Sequence, residues 1–172
     1  MAHRILLLLA SILSLLGCSR GGVPGSSSAP AVQRSIVLVV DNATAANVAD
    51  ELRKGNISVT NDKSLLDSAS LVVIAQDATT GPMPVHQEIV QQIARAGKHN
   101  VLWIQTKSTA VDDQELLELE ELEARELLNK HTLPGDTIQF AVDAESAPVD
   151  PKVSTLKGWP AILRFVQAHN AE

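Results

Sequence analysis

The sequence predicts an α/β fold, a mostly parallel sheet with helices on both faces, and three observations carry that expectation. Two short runs, residues 35–40 and 71–75, are rich in β-branched side chains and, after Ser35, apolar throughout. A strand with one wet face alternates apolar and polar residues, so continuous runs belong to strands covered on both faces. Strand-like runs alternate along the chain with stretches of helical periodicity, the pattern of crossover connections in a parallel sheet. Aromatic residues make up only 2% of the chain, so the core must be built from Val, Leu, Ile and Ala.

In order, the first strand covers residues 35–40, and Asp41 and Asn42 can cap a helix that runs to about Lys54 and is stopped by Gly55. Residues 57–59 form a second, weaker strand, and 71–75 a third. A loop ending Gly81-Pro82-Met83-Pro84 leads into a helix with Ile89, Ile93 and Ala96 at helical spacing, ended by Gly97. Residues 101–104 make the next strand, 111–130 the longest helix and 138–142 the last strand. Pro160 is placed as the first residue of a closing helix through Ile162, Leu163, Phe165 and Val166, because proline needs no amide there.

The N-terminus has a different character. Arg4 precedes an apolar run over 5–16, too short to span a bilayer but sufficient for a secretory signal. The run ends Leu15-Leu16-Gly17-Cys18, which resembles the lipobox of bacterial lipoproteins. That resemblance implies removal of residues 1–17, acylation of Cys18 and, from Ser19, the outer membrane of the cell envelope as destination. Several acyl chains on one residue hold firmly, at about 0.8 kcal/mol for each buried methylene. Cys18 is the only cysteine, so no disulfide can support the fold. Residues 18–33 are rich in Gly, Ser and Pro and read as a flexible tether, leaving 34–172 as one domain. Formal charge is -6 for the whole chain and about -7 without Arg4, which argues against nucleic acid or anionic lipid headgroups as partners.

Within that domain the segments Leu71-Val72-Val73, Gly81-Pro82-Met83-Pro84, Val111-Asp112-Asp113-Gln114-Glu115-Leu116-Leu117-Glu118-Leu119, Glu126-Leu127-Leu128 and Pro134-Gly135-Asp136-Thr137 resemble the GTP-binding domain of elongation factor Tu. The resemblance runs from Leu66 to Ala144 and implies a truncated P-loop-GTPase-like fold. It fails at every nucleotide element. Where the family has its glycine-rich phosphate loop this chain reads Asp41-Asn42-Ala43-Thr44-Ala45-Ala46, with Thr44 in the place of the lysine. A phosphate cradle needs glycines that turn amides inward, a lysine and a magnesium-binding hydroxyl. Thr60-Asn61-Asp62-Lys63 replaces the motif that supplies magnesium contact and the water-positioning histidine, and the first switch has no counterpart. Thr106-Lys107-Ser108-Thr109 lacks the aspartate that reads guanine, and Asp143-Ala144-Glu145 replaces the last motif. The expectation is therefore a non-catalytic domain without a cofactor, a protein-binding or structural module of the cell envelope. The alternative is a divergent GTPase binding GTP or GDP with magnesium, in which case Lys107 is the one surviving contact.

The helix over 111–130 carries Asp112, Asp113, Glu115, Glu118, Glu120, Glu121, Glu123 and Glu126, with Leu116, Leu119, Ala124, Leu127 and Leu128 expected to form its apolar face. In the factor Tu family the matching helix docks partner proteins, so Asp112, Asp113, Glu115 and Glu118 are the candidate partner surface, beside the plainer reading of a solvated helix. His86, His99, His131 and His169 lack metal-ligand spacing, and no catalytic Ser, His or Cys arrangement stands out.

Overall fold

The computed structural model describes residues 36–39, 42–135, 138–147 and 154–170. The signal segment 1–17, Cys18, the tether 18–33 and the expected cap Asp41 lie outside these residues. Six strands form one sheet in the order β2-β1-β3-β4-β5-β6, and every neighbouring pair is parallel. They are β1 (Ile36–Val39), β2 (Val59–Thr60), β3 (Val72–Asp77), β4 (Val101–Thr106), β5 (Gln139–Val142) and β6 (Thr155–Lys157), with helices α1 (Asn42–Lys54), α2 (Pro84–Arg95), α3 (Gln114–Lys130) and α4 (Gly158–Asn170). The expected α/β class is borne out.

Alternate side chains of each central strand supply the two faces. Val73, Ala75, Leu102, Ile104 and Ala141 pack under Val48, Ala49 and Leu52 of α1 and Ile162 and Val166 of α4. Val72, Ile74, Trp103 and Phe140 pack under Ile89, Val90 and Ile93 of α2 and Ala124 and Leu128 of α3. All six residues of β3 and all six of β4 are buried, which is why their sequences do not alternate.

Several local expectations are corrected. Helix α1 does end at Lys54, but the left-handed residue that turns the chain is Asn56 (φ 59°), with Ile57 N–H returning to Leu52 O at 3.2 Å. Gly55 has another use: a Cβ there would meet Leu163 Cδ2 at 2.7 Å, so its absence lets α4 approach α1. Gly97 ends α2 as expected, at φ 63°. The 138–142 strand is not the last. Residues 155–157 add β6 to the edge beside β5, a run with too little apolar character to stand out. Helix α4 starts at Gly158, two residues before Pro160, because Gly158 takes φ 77° in the turn out of β6. The longest helix starts at Gln114; Asp113 is its cap and accepts from Glu115 N–H at 2.9 Å.

Candidate functional site

A parallel sheet gathers the ends of its strands at one carboxyl edge, where open α/β sheets hold ligands beside the point at which strand order reverses. Here the chain moves outward from β1 to β2 and then resumes on the other side with β3. Three charged residues mark that edge: Asp77 ends β3, Lys107 follows β4 and Asp143 follows β5.

Their polar groups are turned toward one another. Lys107 Nζ donates to Asp77 Oδ2 at 2.5 Å. Asp77 Oδ1 accepts from Thr79 N–H at 3.0 Å and Thr79 Oγ1 at 2.6 Å. Burial raises the Asp77 pKa, but the hydrogen bonds from Lys107 and Thr79 outweigh it and leave the carboxyl below its ordinary value. Lys107 itself sits in the left-handed region (φ 56°). Asp143 braces that turn, accepting from Lys107 N–H at 2.8 Å, Ser108 N–H at 3.1 Å and Ser108 Oγ at 2.5 Å. Backbone amides that face outward from such a turn could bind an anion. In this chain its own aspartate occupies two of them.

A cleft of about 360 Å³ is lined by Asn47, Asp50, Glu51 and Lys54 of α1, by Thr106, Lys107 and Asp143 at the strand ends and by Trp159 of α4. The hydroxyl that lines it, Thr106 Oγ1, donates to the Gln76 carbonyl at 3.1 Å, and the neighbouring Ser108 is buried with its hydroxyl on Asp143. Among the described residues no group of three His, Cys, Asp or Glu side chains could hold a metal ion.

The other positions singled out in the sequence have plain local uses. Thr44 and Ala45 are buried inside α1, and Ala43 and Ala46 are exposed on it, so these four are helix residues. Asp62 caps the short turn 63–68 through Ser64, and those hydrogen bonds lower its pKa. Thr106 Oγ1 donates to Gln76 O at 3.1 Å.

Helix α3 departs furthest from expectation. Its buried residues are Leu117, Glu120, Glu121, Ala124 and Leu128, while Leu116 (42%), Leu119 (50%) and Leu122 (53%) are exposed. Leu116 and Leu119, expected on the apolar face, are exposed, and Glu120 and Glu121 are buried in their stead. The cause is in the sheet. Trp103 Nε1 donates to Gln76 Oε1 at 2.7 Å, and Gln76 Nε2 donates to Glu120 Oε2 at 3.1 Å. Glu121 Oε1 accepts from Arg125 Nε at 3.0 Å and Nη2 at 2.7 Å. The buried Gln76 of β3 therefore selects Glu120 as its polar partner, whereas Glu121 is held by Arg125 of the same helix. Asp112, Asp113, Glu115 and Glu118 are exposed, as the docking reading requires.

Burial, reinforced by the charges of Glu123 and Asp77, pushes Glu120 up to about 7, against the lowering effect of its Gln76 hydrogen bond. A carboxyl raised on folding stabilises the fold below its ordinary range, and that contribution fades as pH rises through about 7. Stability should therefore fall by about 2 kcal/mol between pH 5 and pH 8 on this account. Glu120→Gln should flatten that fall and exceed the wild type at pH 8, as read by chemical denaturation at each pH. A wild-type profile that rises across this interval would refute the assignment.

The sequence pointed to Lys107 but missed Asp77 and Asp143. Both are the first acidic residues at or after the end of a buried strand, a signal the strand order makes readable. No family model matches the chain.

Proposed function

We propose that the protein is an exported lipoprotein, tethered to the bacterial envelope through Cys18, whose domain is a non-catalytic, P-loop-GTPase-like protein-binding module. One observation carries the non-catalytic half. The carboxyl edge of the sheet closes on itself, with Asp143 on the amides of Lys107 and Ser108 and the Lys107 amine on Asp77. An added polyanion would have to displace two acidic side chains and find no glycine-rich cradle in their place.

The likeness to the elongation factor Tu domain is consistent with the way its segments fall at the boundaries of elements. Gly81-Pro82-Met83 leads into α2, Val111-Asp112-Asp113 leads into α3, and Pro134-Gly135 follows α3. The four acidic residues at the start of α3, Asp112, Asp113, Glu115 and Glu118, are the surface we assign to a protein partner. The cleft at the carboxyl edge favours a second reading, a divergent GTP-binding protein that holds GTP or GDP with magnesium through Lys107.

The anchor rests on Leu15-Leu16-Gly17-Cys18. Among the described residues no helix is long and apolar enough to cross a membrane. Cys18→Ala should abolish incorporation of labelled palmitate and either release the protein from the membrane fraction or leave it uncleaved. Labelled palmitate on the Cys18→Ala protein would sink the anchor. The nucleotide half is tested by titrating the full chain with GDP and magnesium, where no saturable binding is expected below about 1 mM.

A further inference from the structure

Because all the strands are parallel, every one starts at the same edge of the sheet, and the helices return the chain to it. The last turns of those helices are basic: Arg53 and Lys54 in α1, Arg95 in α2, Lys130 in α3 and His169 in α4. Lys98 follows α2 at this edge and donates to the main-chain oxygens of Asp67 and Ala69. Asp50 and Glu51 pair with Arg53 and Lys54 at 3.0 and 2.5 Å. No ion pair among the described residues holds Arg95, Lys98 or Lys130. Asp67, in the turn before β3, and Glu126, one turn inside α3, reduce that positive excess without reversing it. The opposite edge is acidic, with Asp77, Asp112, Asp113, Glu115, Asp143 and Glu145 at the strand ends and the start of α3.

Resting on the anchor proposed above, we infer that the domain docks on anionic phospholipid headgroups through the amino edge of its sheet, with the acidic edge turned away from the bilayer. The formal charge of -6 is a sum over two unlike ends, and the expectation drawn from it against anionic headgroups fits the acidic end only. Six-residue strands such as β3 and β4 set the ends about 20 Å apart, at about 3.3 Å per residue. That exceeds the screening length of about 8 Å in physiological salt, so a charged surface at one edge does not feel the other. The route to the anchor leads to the basic edge: β1 starts there at Ile36, and residues 19–35 join it to Cys18. A chain of that length reaches at most about 60 Å, enough for the domain to turn over, so charge selects the edge that meets the bilayer. The anchor also keeps headgroups at high local concentration, which makes them the occupant ahead of a soluble polyanion.

The test uses the chain acylated at Cys18, in vesicles of phosphatidylcholine alone or with about 30% phosphatidylglycerol. Lysines are briefly acetylated with an uncharged reagent and read by mass spectrometry, each compared with itself in the two vesicles. A cation in the last turn of a helix also suits the helix dipole, a role that needs no lipid, so the comparison varies the lipid and keeps the protein. Lys98 and Lys130 should react at least about threefold more slowly on the anionic vesicles, while Lys107 and Lys157, at the carboxyl edge, keep their rates. Salt at about 0.5 M should remove the difference. The double variant Arg95→Glu/Lys130→Glu changes two exposed residues and should remove it at Lys98; the salt arm needs no variant and so does not depend on its folding. Equal rates at Lys98 and Lys130 in the two vesicles, equal slowing at both edges, or slowing that survives high salt would overturn the proposal. Flotation reads the anchor separately. Protein that floats with neither vesicle overturns the anchor and this inference with it, whereas flotation with unchanged lysine rates overturns this inference alone.

Discussion

Val73→Asp is expected to leave no cooperative melting transition. Val73 has no exposed surface and is the second residue of β3, clustered with Leu102, Ala141 and Ile162 on the face covered by α1 and α4. No cation or donor in that cluster could receive a carboxylate, so the charge would cost several kcal/mol against a total stability of about 5–15. Circular dichroism on heating reads the result, and a variant that melts with the wild type would show that this run is not a core strand.

The second large effect belongs to Arg125. Its guanidinium donates twice to Glu121 Oε1 and once to Gly135 O at 2.5 Å, and its Cζ lies 4.1 Å from the centroid of the Phe140 ring. Side-chain exposures are 15% for Arg125 and 11% for Glu121, low enough that neither charge is comfortable alone. Arg125→Ala leaves the Glu121 carboxylate with Thr155 Oγ1 at 3.3 Å as its remaining donor. We expect a loss of about 3 kcal/mol, roughly 10 °C in Tm. Pairing Arg125→Met with Glu121→Leu should recover most of it, because apolar replacements of both partners remove the unpaired charge. If Arg125→Ala alone shifts the midpoint by no more than a surface substitution does, the pair has been misjudged.

Much of the fold is legible in the residues, and the reasons are local. The runs at 71–75 and 101–104 are continuous because both of their faces are covered, and each extends two residues past its apolar part into polar positions, Gln76 and Asp77 in one and Gln105 and Thr106 in the other. Those polar ends are where periodicity stops informing. Gln76 is invisible as a partner of Glu120 until β3 and α3 are placed together, which is why the sequence alone sets the apolar face of α3 around Leu116 and Leu119 when it is centred on Leu117, Ala124 and Leu128. β6 was missed because Thr155-Leu156-Lys157 owes its strand conformation to pairing with β5 more than to its own composition. The charges of the carboxyl edge divide the same way. Lys107 was visible through a family resemblance, whereas the bracing of its left-handed turn by Asp143 joins residues 36 positions apart.

The non-catalytic reading proposed above stands or falls on whether this edge holds nucleotide. Calorimetric titration of the full chain in nanodiscs with GDP and magnesium tests it most directly. No saturable heat is expected up to about millimolar ligand, a free energy of at most about 4 kcal/mol. A micromolar dissociation constant, about 8 kcal/mol, abolished by Lys107→Ala would contradict it and place a GTP-binding protein at the sheet's carboxyl edge.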